Sequence, residues 1–377
     1  SLGRGGAEVL LAEGLRVADH ERFVFEYGYF LPWKDTLVPA LRAQGAEVTC
    51  FAARSNQAIL RSVRRVARFL RERDIDLVHA HLPLAGVVAR LAGRKAGVPV
   101  VYTAHNLQER YSRVTRWLNR YTWKHQALAL AVSKDVEDSI RRHVGNAVQV
   151  QTVLNGVNVQ SFDRDSHNGS ALRTDLGFPE ETFVVGTVAV FRSQKKLDYW
   201  LGVARRVLNS VPEARFIVVG DGPERSTIEA KIKELQLQNA VHLAGLQEET
   251  RPYFAAMDVY LMTSEFEGLP IALLESMSMA VPPVVTAVGG IPEVVRHDQN
   301  GCLRRFGELD QLTDDVVRLA RDDSLRFRLG QAARQTVVAD FSMERMQREL
   351  EAIYDQVIER FSCQQDKKQA ARTTAST

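Results

Sequence analysis

Short apolar runs and amphipathic helical stretches alternate along this chain in two successive series, and that alternation limits the fold more than any other feature. The first series offers strands at 23–27, 47–51, 77–80, 98–103, 128–132 and 148–153, with helical patterns such as 57–73 and 84–96 between them. The second offers strands at 183–190, 215–219, 241–243, 259–262 and 283–285, each followed by a helical pattern. Repetition of this βα kind predicts parallel sheets covered by helices. Between the series, Leu154-Asn-Gly-Val-Asn gives a turn signal and 163–170 is polar, which places a domain boundary near 155–170. A chain of 377 residues is long enough for two separate cores. The predicted fold class is therefore α/β, with two doubly wound, Rossmann-like domains. In open sheets of this type ligands bind beyond the strand C-terminal ends, so the loops there are where chemistry is expected.

Composition excludes several function classes. A formal charge of +3 is too small for general nucleic-acid binding. Cys50, Cys302 and Cys363 are odd in number and far apart, with neither metal-ligand spacing nor a disulfide framework. A reducing cytoplasm is the default expectation. No apolar run approaches the ~18 residues that cross a bilayer, and no signal peptide is visible. Two basic stretches stand out. Residues 107–125 carry Arg110, Arg113, Arg116 and Arg120 among Tyr111, Trp117, Tyr121 and Trp123, and 61–73 carries Arg61, Arg64, Arg65, Arg68 and Arg71. The ordinary reading is a core face opposite a solvated face; the alternative is peripheral contact with an anionic membrane.

The densest signal is Thr263-Ser-Glu-Phe-Glu267-Gly-Leu-Pro-Ile-Ala-Leu-Leu-Glu275. It reads as a strand end, a loop and a helix whose first turn holds Pro270. Gly268 permits close approach of backbone to a ligand, and the amides of Gly268, Leu269 and Ile271 would face an anion at the helix start. Glu267 and Glu275 bracket that start. Val188-Ala-Val-Phe-Arg192-Ser-Gln-Lys195 sets cations after a strand end, where they suit a diphosphate. Gly5 and Gly6 precede a helical pattern in the same manner, without the glycine spacing of a dinucleotide fingerprint. His105 ends a strand. His79 and His81 form a His-x-His pair without a convincing third ligand, so a strand end with one buried histidine is preferred to a metal site. Asp221, in Gly220-Asp-Gly222, reads as a structural turn residue.

In combination these segments resemble the retaining glycosyltransferases of family 4, which have the GT-B fold. The resemblance runs from the first loop to about residue 340. It implies an enzyme that moves a sugar from a nucleotide diphosphate sugar to a hydroxyl of a glycan, lipid-linked or small-molecule acceptor, as in polysaccharide or glycoconjugate biosynthesis. It implies that Lys195 and Arg192 with the Gly5 and Gly6 amides face the diphosphate, that Glu275 takes the ribose, and that Glu267 and His105 take the transferred sugar. Gly245, in Leu243-Ala-Gly-Leu246, corresponds to a loop touching the nucleobase, and Val288-Gly-Gly-Ile-Pro-Glu293 to a cleft-lining loop. No metal or other cofactor is required. Where the family places a second cation Val190 stands, so Arg192 is expected to substitute. The family's opening strand is absent before Gly3. The expected divisions are an acceptor domain at 1–157, a donor domain at 158–342, a helix at 343–361 packing back on the first domain, and a disordered polar tail at 362–377. The alternatives are a GT-B epimerase or phosphorylase, or a non-catalytic sugar-nucleotide-binding protein.

Overall fold

In a computed structural model, residues 1–3, 5–145, 147–179 and 181–374 are described, with 368–374 described by backbone alone. The chain divides into two compact units, Ser1–Asn155 together with the segment from Glu344 onward, and Gly156–Met343.

The first unit contains strands β1 (Glu26–Tyr29), β2 (Glu47–Cys50), β3 (Val78–His81), β4 (Val100–Ala104), β5 (Leu128–Ala131) and β6 (Val150–Thr152). Every residue of β4 and β5 is buried, as expected for parallel strands covered on both faces. Helices begin where Ser55, Ser112 and Ser133 accept backbone amides with their hydroxyls. Among the described residues the sheet is in two pieces, β1-β2 and β3-β4-β5-β6, all parallel. A cavity of about 640 Å³ lies at the interruption, lined by Leu10 and Tyr27 on one side and by Val78, His79, Leu350 and Tyr354 on the other. Leu350 and Tyr354 belong to the closing helix Met343–Thr374, which also ties down the first unit by a bond from the Asp19 amide to Glu351 Oε1 at 3.0 Å. The polar stretch 362–374, expected to be disordered, instead continues this helix. No glycine or proline interrupts 343–374, and its Gln, Lys, Arg and Ala residues propagate a helix already nucleated by packing. The remainder of that stretch, 375–377, lies outside the described residues.

The second unit holds β7 (Val184–Val188), β8 (Arg215–Val219), β9 (Val241–Gly245), β10 (Val259–Met262), β11 (Pro283–Thr286) and β12 (Cys302–Arg304). They form one parallel sheet in the order β12-β11-β10-β7-β8-β9. Trp200, Phe216 and Leu261 anchor its core, and the Trp200 indole donates to the Leu261 carbonyl at 3.0 Å. β12 escaped the sequence reading: it has three residues, two of them half-buried, at a sheet edge. The strand order runs one way from β7 and the other way from β10, so the point of reversal lies between these two neighbours. Ligand sites in open α/β sheets form at such a reversal.

Candidate functional site

In the second unit the loops leaving β7 and β10 meet at the reversal point. The β7 loop makes a 3₁₀ turn at Ser193–Lys195, and Lys196, at φ 47°, opens the helix Leu197–Ser210. The β10 loop is stitched to it. The Thr263 hydroxyl donates to the Lys196 carbonyl at 2.9 Å, and the Glu265 amide donates to the Gln194 carbonyl at 2.8 Å. This stitching brings Lys195 Nζ within 2.5 Å of Glu267 Oε1, with side chains only 18% and 8% exposed. A pair this far out of water is held by its partners, and losing either one leaves a poorly solvated charge. Lys196 makes a looser, more exposed pair with Glu265 at 3.4 Å.

The Glu267 loop rests on Val288-Gly-Gly. Gly289 has φ +57°, and a Cβ there would lie 2.2 Å from the Glu267 carbonyl oxygen. The Gly290 amide donates to the Gly268 carbonyl at 2.6 Å, and Thr286 Oγ1 donates to the Ser264 carbonyl at 2.7 Å. The glycines thus buttress the loop that carries Glu267. Helix Ile271–Ser278 starts one residue later than expected. Pro270 has extended ψ 126° and stands at the N-cap, so it ends the loop without entering the first turn. Leu269 packs inward at 4% exposure. Glu275 lies in the second turn and is half-buried.

Tyr260 on β10 is fully enclosed. Its hydroxyl holds its proton well above the usual phenol range, mainly through burial, with further contributions from the negative charges of Glu267 and Glu275. The two carboxylates therefore bear on one buried phenol. Thr187, Ala189, Lys195, Tyr260, Thr263 and Ser264 line a small hollow here. The Ser264 hydroxyl is buried there without a hydrogen-bond partner among the described residues. Thr187, Tyr260 and Ser264 were missed in the sequence; only the proximity of Tyr260 and Ser264 to Thr263 pointed to them.

Arg192 is exposed. Its carbonyl accepts the Lys195 amide at 2.9 Å, and its guanidinium makes no hydrogen bond or ion pair with a described residue. Val190 is 40% exposed beyond the end of β7. Gly245 closes β9 at φ +70° and accepts the Gly220 amide at 2.8 Å. Asp221 caps its own turn, Oδ1 taking the Gly222 amide at 2.7 Å.

In the first unit His105 follows β4. Its Nε2 lies 2.9 Å from His81 Nδ1, so one proton is shared between two neutral rings. Burial lowers the His105 pKa to about 4 and that of His81 well below the usual value. His79 uses both ring nitrogens, one to the Tyr354 hydroxyl and one to Thr103 Oγ1, each at 2.7 Å, so neither is left to bind a metal. Gly5 stands at the N-cap of helix Gly6–Arg16 in extended conformation. The Glu8 carboxylate sits over Gly5 and accepts from the Ser1 hydroxyl at 2.6 Å. Elsewhere His297, Cys302 and Asp315 cluster in the second unit. There Arg304 already holds Asp315 at 2.7 Å, and burial pushes the Cys302 thiol up to about 12, which disfavours a metal.

Comparison with known proteins bears on both units. The family profile described as Glycosyltransferase Family 4 matches residues 5–161, and that described as Glycosyl transferases group 1 matches residues 170–336. The N-acetyl-alpha-D-glucosaminyl L-malate synthase of Bacillus anthracis is 28% identical over 78% of this chain and 78% of its own length. The UDP-Gal:alpha-D-GlcNAc-diphosphoundecaprenol alpha-1,3-galactosyltransferase of Escherichia coli is 25% identical over 78% of this chain and 79% of its own. Among solved structures, Anabaena HepE in complex with UDP and glucose superposes with a TM-score of 0.85 at 22% identity, over 94% of this chain and 97% of that one.

Proposed function

The chain belongs to the family 4 glycosyltransferases of GT-B fold, and for this member we propose transfer of a sugar from a nucleotide diphosphate sugar to an acceptor hydroxyl with retention of anomeric configuration. The observation that carries this reading is the shielded Lys195–Glu267 pair at the sheet reversal, beside a phenol that senses both Glu267 and Glu275.

The bond from the anomeric carbon to the β-phosphate oxygen breaks as the acceptor oxygen bonds to the same face of that carbon. The acceptor proton passes to the departing phosphate. Negative charge grows on that phosphate, and Lys195 is the group that meets it. A cation about 4 Å away contributes roughly 4 kcal/mol of gross attraction at an effective dielectric near 20. Because Lys195 is already fixed by Glu267, little reorganisation is needed as the charge develops. Arg192, exposed and without a side-chain partner among the described residues, is suited to a second phosphate contact. These protein charges make a metal unnecessary. Glu275 holds the ribose, Gly245 lies against the base, and Glu267 orients sugar hydroxyls while restraining Lys195. In the first unit, taken by itself, Gly5 and Gly6 begin a helix whose amides suit an anion, and His105, neutral near pH 7, suits a hydrogen-bonding role. Neither glutamate is a nucleophile.

UDP is the first nucleotide to test, given its presence in HepE, and the acceptor named for the Escherichia coli relative makes a lipid-linked glycan the first acceptor class. The experiment is turnover of a panel of UDP-sugars, with the product anomer read by NMR. Lys195→Ala should lower kcat about a hundred- to a thousandfold. Tight UDP binding with neither transfer nor hydrolysis would instead leave a binding protein, and an inverted product would remove the retaining step.

A further inference from the structure

The helix Arg113–Thr122 packs the opposite way to an ordinary amphipathic helix. Its buried side chains are polar. Asn119 and Thr122 accept from the Arg90 guanidinium at 2.7 and 3.2 Å. Arg90 is itself fully buried between the rings of Tyr102 and Trp123, at 4.5 and 4.7 Å. The apolar residues point outward: Val114, Trp117 and Tyr121 are 68%, 62% and 65% exposed. They occupy positions i, i+3 and i+7, one face of the helix. The Trp117 and Tyr121 rings stack, with centroids 5.6 Å apart and planes 11° apart.

Cations flank one side of this face. Arg113 and Arg120 are exposed and Arg116 is half-buried, and none pairs with an acid among the described residues. The helix itself contains no Asp or Glu. Helix Pro83–Ala96 packs between it and helix Val63–Glu72. The latter buries Val66, Ala67 and Leu70 and exposes Arg64, Arg68 and Arg71. The stacked aromatic pair thus lies beside the arginines of its own helix, and a second arginine-rich helix contacts the same neighbour, Pro83–Ala96.

We propose that this face docks on a bilayer surface rich in anionic lipid, with Val114, Trp117 and Tyr121 at headgroup depth and the arginines on lipid phosphates. Tryptophan and tyrosine suit that depth because one end of each ring system is apolar and the other polar. The arginines suit negative headgroups, with about fivefold in affinity per charge near the surface. A second copy of the chain is a poor occupant. Two-fold pairing would set the same unpaired arginines against one another. The inference deepens the acceptor side of the proposed function and rests on it for its purpose, since a lipid-linked acceptor would be met at that surface.

The test is co-sedimentation of the full chain with vesicles of phosphatidylcholine alone or mixed with phosphatidylglycerol. Binding is expected only to the mixed vesicles, weakening with salt. Trp117→Ser with Tyr121→Ser should lower it at least tenfold, as should Arg113→Gln with Arg116→Gln and Arg120→Gln, while Trp117→Phe with Tyr121→Phe retains most of it. A thermal shift with UDP, recorded for each variant, reports that the chain is folded and its donor site intact. Equal binding by all variants, equal binding to both vesicle types, or a dimer abolished by Trp117→Ser with Tyr121→Ser would overturn the proposal. Absence of a UDP shift in the unaltered chain would count against the donor reading alone.

Discussion

At the scale of single residues, Lys195 and Glu267 act as one unit. Removing either should disturb the other, and a double-mutant cycle isolates the effect. Lys195→Met and Glu267→Gln should show a coupling of about 1–3 kcal/mol in stability, read from urea unfolding. Simple additivity would mean that solvent already screens the pair. Gly289 makes a sharper demand. With φ +57° and the Glu267 carbonyl 2.2 Å from any Cβ, Gly289→Ala must shift the loop it supports. We expect a loss of about 2 kcal/mol or more in stability, together with weaker UDP binding; an unchanged midpoint and affinity would show that the loop yields freely. The loop positions of Glu267 and Lys195 were legible in the sequence because loops after strands announce themselves by glycine and charge. Thr187 and Tyr260 were not, since a strand residue is assigned to one face or the other only once its neighbours are known, and Ser264 stood inside the 263–275 motif without any sign that its hydroxyl is buried. The second role of Gly289, close approach as well as turning, was hidden for the same reason.

At the scale of elements, the histidines on β3 and after β4 give the first unit a pH dependence of definite sign. His105 and His79 have pKa values lowered to about 4 and about 3 in the fold, against about 6.5 in an unfolded chain. As pH falls below about 6.5 the unfolded chain takes up protons first, so stability present at neutral pH is lost progressively down to about pH 4. The melting temperature of the chain should fall between pH 7 and pH 5, and His79→Gln with His105→Asn should flatten that slope. A slope unchanged by the substitutions would place the acid sensitivity elsewhere. Most strands were legible from apolar runs, and 215–219 and 259–262 coincide with β8 and β10. The element read least well is Arg113–Thr122. Its spacing announced an amphipathic helix, but periodicity is silent on which face turns inward. That was settled by Arg90, twenty-odd residues earlier in the chain, whose buried charge recruits Asn119 and Thr122.

At the scale of the whole molecule, two βα series were enough to read two Rossmann-like domains, because parallel strands need crossovers and crossovers need helices. The family resemblance implied a helix at 343–361 packing on the first domain, but the residues that make that contact and the helical continuation to 374 were not legible. Burial of Leu350 and Tyr354 against the first unit depends on contacts distant in sequence, and no composition rule reports them. The interruption of the first unit's sheet carries a consequence of its own. No backbone hydrogen bond joins β1 to β3 among the described residues, so the ladder that spreads cooperativity across an ordinary sheet stops there. A two-stranded ribbon is marginal by itself. Deuterium should therefore enter the amides of β1 and β2 well before those of β4 and β5, and uniform uptake across all four would mean the flanking helices alone bind the halves into one cooperative body. Among the described residues, the two pieces of this sheet share no ladder, so side-chain packing alone couples the β1-β2 ribbon to the four-stranded piece.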